Sequence, residues 1–276
     1  MSLSRLELDG LGSPADIAKR IHELAPDLAP NFAIEDICRQ LDILAIEDKP
    51  VSSFEAMLLM DENKAWGSIV VAQGRRLERR RFSIGHELGH FLIPTHRPTP
   101  GAGFSCSLDD LRVGDTREHD RHKRIEAEAN RFAAHLLMPP ARIRSSVRSR
   151  QPDLSEIVRL AGQFGVSREA MARGYIEAHR DTLAVVILHR GLVDRIYRPE
   201  GFPWIEPRRG QPVPEDSIAS DHRFQPGQIS EMEECEPETW FGEGSARGVE
   251  VLSEQLHVQQ NGWATVLLHA ELTEHD

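Results

Sequence analysis

Apolar positions along this chain recur at two periods, and the change between them divides it. Up to about residue 180 the spacing is helical, with one strand signal. Ser13-Pro14-Ala15-Asp16 opens an amphipathic stretch with Ile17, Ile21, Leu24 and Ala25 on one side, a helix start with a hydroxyl cap and an early proline. AIEDICRQLDILAI carries Ile34, Ile37, Leu41 and Leu44 at helical spacing and predicts a second helix. Ile69-Val70-Val71, β-branched and bounded by Gly67 and Gly74, predicts a strand. GRRLERRRFSIGHELGHFL then returns to helix and runs to Pro94. Gly85 and Gly89 are weak helix formers inside it, which predicts close packing against a neighbour.

A Pro/Gly-rich crossing, with a short helix expected near SLDDL, separates this helix from the next. A crossing that long in a compact domain suggests a task, such as shaping one side of a cleft. In RHKRIEAEANRFAAHLLMPP, Ile125, Ala129, Phe132, Ala133, Leu136 and Leu137 trace one helical face, and Pro139-Pro140 stops the run. DLSEIVRLAGQFGVSREAMARGYIEAH predicts two short helices around Gly165, with Asp153 and Ser167 as N-caps. Beyond Asp181 the pattern becomes that of strands. One hairpin is expected to turn at His189-Arg190-Gly191 and another at Asn261-Gly262, with an acidic surface loop, EMEECEPETWFGEG, between them. The expected organisation is α+β: residues 1–140, residues 141–180 as a helix-turn-helix-like segment, and residues 181–276 as a mixed α/β domain.

Composition narrows the function. The 276 residues are 39% hydrophobic and 28% charged, which is ordinary globular composition. A formal charge of -11 argues against a protein that coats nucleic acid by bulk attraction. Cys38, Cys106 and Cys235 are odd in number and widely spaced, which fits a reducing compartment. With no secretory pattern at the start and no apolar run of about 18–20 residues, a cytoplasmic protein without a membrane partner is expected.

FSIGHELGHFLIP carries the chemistry. In a helix, His86 and His90 lie one turn apart on the same face, where both imidazoles can reach one metal ion. Zinc there lowers the pKa of a bound water toward about 7, and Glu87, about 100° around the helix, can take its proton and pass it to a leaving amine. With 13 His and 44 Asp+Glu, chance alone places such a motif in roughly one chain of this size in ten. The helix containing IEAEANRFAAHLLMP strengthens it. Glu126 shares a face with Asn130, Ala133 and Leu137, and the small Ala129 and Ala133 let two helices approach. Helical geometry therefore favours Glu126 as third metal ligand over Glu128, which points toward the side of Phe132 and His135. Asn130 could orient a ligand histidine through its second ring nitrogen.

FSIGHELGHFLIP followed by IEAEANRFAAHLLMPP closely resembles the ImmA/IrrE family of metallo-endopeptidases, as does the strand and Arg-rich run before it. The resemblance is strong over roughly residues 55–140 and weaker to about 180. It implies zinc (Zn2+) on His86, His90 and Glu126, Glu87 as general base, and a gluzincin-like fold. It also implies an edge strand near 69–72 to pair with an extended substrate. The family is associated with cleavage of phage-repressor-type helix-turn-helix transcription factors, which relieves repression in stress responses, mobile elements or toxin–antitoxin systems. No repressor-like domain precedes the motif, so the protein substrate is expected to be separate. Some longer relatives end in a GAF-like sensor, which makes the C-terminal region a candidate regulatory or docking domain.

Competing assignments remain. Cys106, His96, His119 and His122 lie in or beside the crossing, and one could bind zinc in place of water and hold the enzyme inactive. A deformylase-type site would need a cysteine ligand, but Cys38 sits in a helical pattern. The second helix of the helix-turn-helix-like segment offers Arg168 and Arg173, offset by Glu169, so direct DNA binding is the lesser reading. The Arg runs at 75–81 and 142–150 read as solvated helix faces. The rival function is a non-proteolytic anti-repressor, binding protein or DNA with zinc in a structural role. Glu87 separates the two, since hydrolysis needs a base and sequestration does not.

Overall fold

The computed structural model describes residues 3–97, 104–106, 121–148, 150–221 and 223–273, with the backbone alone for 104–106 and 121. The expected helix near 107–111 and His119 lie outside the described residues. The chain divides into two compact units: Met1–Pro139 with Gly162–Ser167, and Pro140–Ala161 with Arg168–Asp276. It is an α+β protein, with two sheets among the described residues.

The first unit opens with α1 (Pro14–Leu24), where Ser13 accepts from the Asp16 N–H, and α2 (Ile34–Gln40). The chain then departs from the single helix expected over 33–46. Asp42 takes a left-handed conformation, φ 65°, which ends the helix, and β1 (Ile43–Lys49) follows. Ile43 is buried while Leu44 is 69% exposed, so the helical spacing of Leu44 was coincidental. β2 (Ala56–Met60) and β3 (Gly67–Ala72) complete a sheet with β4 (Phe104–Cys106) in the order β1-β3-β2-β4. β1 runs parallel to β3, and the other pairs are antiparallel. This corrects the expectation of an edge strand at 69–72: β3 is hydrogen-bonded on both sides, and among the described residues the edges are β1 and β4. The β-branched run that marks it as a strand fits an interior position equally well.

α3 (Leu77–Leu92) is buried almost throughout its second half, from Ser83 to Phe91. It packs on α4 (Arg121–Leu137), whose Ala129, Phe132, Ala133 and Leu136 are fully buried. The two glycines of α3 permit this approach. A Cβ on Gly89 would sit 3.0 Å from Phe132 and 3.3 Å from the Ala129 backbone, and one on Gly85 would lie 3.3 Å from the Ala133 side chain. The Arg run preceding the motif is only partly a solvated face, with Arg75 and Arg76 exposed. Arg75 and Arg79 pair with the buried Glu55, Arg80 with Asp48 and Glu35, and Arg81 donates to the Phe32 carbonyl.

The second unit contains α5 (Pro140–Val147), most of α6 (Leu154–Phe164), and α7 (Arg168–Ala178). Its sheet comprises β5 (Thr182–His189), β6 (Leu192–Tyr197), β7 (Glu233–Cys235), β8 (Val249–Val258) and β9 (Trp263–Leu272). The order is β6-β5-β9-β8-β7, antiparallel throughout. Both hairpins turn at the expected residues. Arg190-Gly191 and Asn261-Gly262 all have positive φ, as a tight connection between twisted strands requires. β5 is buried continuously from Leu183 to Leu188, which explains its lack of alternation.

The stretch EMEECEPETWFGEG is not surface loop. It supplies β7, and its Trp240 and Phe241 lie in the core with Leu252, Leu256, Val266 and Leu268; α8 (Glu243–Ala246) follows. Glu254 anchors this crossing. Its buried carboxylate accepts from Ser217 Oγ at 2.7 Å, the Ile218 N–H at 2.8 Å and Trp240 Nε1 at 3.0 Å. Burial still pushes its pKa up, against those hydrogen bonds.

Candidate metal centre

Helical pitch and the two-glycine contact build the site. His86 and His90 stand one turn apart on α3, and the close approach of α4 carries Glu126 to them. His86 Nε2 lies 3.0 Å from His90 Nε2 and 3.1 Å from Glu126 Oε2, while Glu126 Oε1 lies 3.4 Å from His90 Nε2. All three residues are buried. Donors about 2.0–2.1 Å from a tetrahedral zinc stand about 3.3–3.4 Å from one another, so this trio fits the ion with almost no rearrangement. Two imidazoles and a carboxylate are also a three-ligand set that leaves a fourth position open. Among the described residues this is the one His/Cys/Asp/Glu group spaced to hold a metal.

The electrostatics prepare the donors for that role. Burial pushes the His90 imidazole down to about 3, against the pull of Glu126, so the ring is neutral and its lone pair available. Burial alone would raise the Glu126 carboxyl, but the adjoining His86 and His90 rings outweigh it and hold the group well below the usual range. Glu87, next to His86 on the helix, is fully buried.

Several of the other expected residues lie near the trio. Asn130 Oδ1 lies 2.9 Å from His86 Nδ1, so the amide oxygen accepts from the ring nitrogen that faces away from Glu126. Glu128 is turned to His96, with Oε2 2.9 Å from His96 Nε2. His96 is buried, and its Nδ1 lies 3.0 Å from His90 Nδ1. Neither residue belongs to the donor trio. His122 is largely exposed, with Nδ1 4.0 Å from Glu126 Oε1. The side chain of Cys106 lies outside the described residues.

Sequence reasoning missed Lys64. Its ammonium donates to the carbonyls of His90 and Ile93, each at 2.8 Å, and so closes the C-terminal end of the helix that carries both histidines. Burial lowers its pKa to about 8. A lysine in a turn between strands gives no signal of such a role. Both tyrosines belong to the second unit: the Asp153 N–H donates to Tyr175, and Tyr197 donates to Glu169. On α7, Arg173 lies over the Tyr197 ring and Glu169 pairs with Arg195, so these side chains are engaged within their own unit. Among the described residues no helix is long and apolar enough to cross a membrane.

A family model described as the IrrE N-terminal-like domain, a peptidase family, matches residues 55–174. Among solved structures the chain is similar to a Mycobacterium tuberculosis transcriptional regulator, at 13% identity and a TM-score of 0.48, over 97% of this chain and 74% of that one. No curated protein matches it.

Proposed function

We propose, from the match of residues 55–174 to the IrrE N-terminal-like domain of a peptidase family, that the protein is a zinc endopeptidase which cleaves a separate transcriptional repressor of the helix-turn-helix type. The observation that carries this reading is the buried His86–His90–Glu126 trio, spaced for zinc, with Glu87 beside it on the same helix. Those three residues would hold the ion. Zinc bound there supplies a Lewis acid and a water acidified toward neutral pH.

Glu87 takes the proton from the attacking water and returns it to the nitrogen of the departing chain, a carboxylate acting first as base and then as acid. Its buried surroundings keep competing solvent from that proton. Asn130 holds the His86 ring in one orientation. An extended substrate that joins the sheet by strand addition would do so at β4 or β1, the two edges, and not at β3. The second unit carries no donor trio among its described residues and serves as a docking or regulatory domain in this reading.

The experiment compares new protein N-termini in cells expressing the wild type with those expressing Glu87→Gln. The expected result is a cut in one DNA-binding protein that appears with the wild type alone. If the same genes switch on with both versions and no cut appears, the protein acts by sequestration and the proposal fails.

A further inference from the structure

His96 and Glu128 take no part in the donor trio, yet they reach it through His90. His90 presents Nε2 to His86 and Glu126 and turns Nδ1 to His96 Nδ1, 3.0 Å away. Two ring nitrogens can hydrogen-bond only when one carries a hydrogen and the other a lone pair. Glu128 decides which. Its Oε2 stands 2.9 Å from His96 Nε2, and an ionised carboxylate only accepts, so Nε2 of His96 carries the hydrogen. In the neutral His96 ring, Nδ1 is then bare and accepts from His90 Nδ1–H. In neutral His90 that leaves the lone pair on Nε2, the nitrogen turned to the trio.

His86 reaches the same state by a shorter route, since the Asn130 amide oxygen accepts from its Nδ1 at 2.9 Å. The two histidines thus have their hydrogens held on the side away from Glu126, one by an amide and the other by an imidazole–carboxylate pair. The placement of this pair is specific. His96 has no exposed surface, whereas Glu128 is partly exposed, with Arg124 Nε 3.9 Å from its other oxygen. A negative charge at the rim of the unit is linked through one buried ring to a ligand at its centre.

We propose that His96 and Glu128 are positioning residues that fix the tautomer and orientation of His90 and thereby tighten zinc binding. This rests on the zinc reading given above. Outer partners of this kind are worth about 10–100-fold in metal affinity where they have been removed from a ligand histidine.

The test measures zinc affinity of the full chain by competition with a chromophoric chelator. Wild type is compared with His96→Leu, His96→Asn and Glu128→Leu. His96→Leu removes the acceptor and should weaken binding about 10–100-fold. His96→Asn can place its Oδ1 where Nδ1 stood, and should recover most of that loss. Glu128→Leu should weaken binding by a smaller factor in the same direction. In zinc-free protein labelled with nitrogen-15 at histidine, His90 should show hydrogen on Nδ1 in the wild type and a mixture of tautomers in His96→Leu.

Zinc affinity in His96→Leu equal to that of the wild type, with the His90 tautomer unchanged, would overturn the proposal alone. So would a His96→Asn variant as weak as His96→Leu, since mere loss of packing would explain both. A wild type that binds no zinc would instead overturn the zinc reading, and this proposal with it.

Discussion

Asn130 lies one helical turn beyond Glu126, so a single face of α4 offers both a carboxylate to the candidate metal site and an amide to the histidine beside it. Removing either tests a different function. Glu126→Ala should abolish tight zinc binding, whereas Asn130→Leu should weaken it about 10–100-fold, both read by chelator competition. Glu87→Gln should hold zinc like the wild type and lower the rate of substrate cleavage by about 10²–10⁴-fold, the usual contribution of a general base. Retained cleavage would remove Glu87 from that role. These residues were legible because each spacing is local to one helix: four residues for His86 and His90, four for Glu126 and Asn130. The approach of Glu128 to His96 was not. It depends on the turn after Ile93, where the chain leaves the helix and folds His96 back under it, and periodicity says nothing about a turn of that kind.

The contact between α3 and α4 is the element that makes the site. Gly85 and Gly89 face Ala133 and Ala129, and the helices approach as far as those small residues allow. Gly89→Val would force the Phe132 ring and the α4 backbone away. It should destabilise the first unit by about 1–3 kcal/mol in urea unfolding and weaken zinc binding by separating Glu126 from the histidines. A variant as stable as the wild type, with undiminished zinc affinity, would show that the approach is not tight. Close packing at these glycines was readable, because glycine in a helix interior is costly unless something occupies its missing side chain. Sheet order was not. The β-branched run of β3 announces a strand but not its neighbours, and β1 was hidden by a helical spacing in which only Leu44 was wrong.

For the whole molecule, the chain forms two compact units, and each was legible to a different degree. The hairpins of the second unit were plain from Arg190-Gly191 and Asn261-Gly262, whose left-handed backbone suits those turns. Its core was less so, because Trp240 and Phe241 stand in an acidic, glycine-containing stretch, and their burial depends on a crossing tied to Glu254 over a long span of sequence. Trp240→Ala should destabilise that unit by about 3–5 kcal/mol, measured by denaturant unfolding with a probe in the second sheet. An effect below about 1 kcal/mol would contradict the placement of the ring in the core. The most direct test of the account is the zinc content of the purified full chain, measured alongside Glu126→Ala and Glu87→Gln. The account predicts one zinc per chain in the wild type and in Glu87→Gln, and none in Glu126→Ala. Zinc retained at full stoichiometry in Glu126→Ala, or absent from the wild type after incubation with the ion, would contradict it.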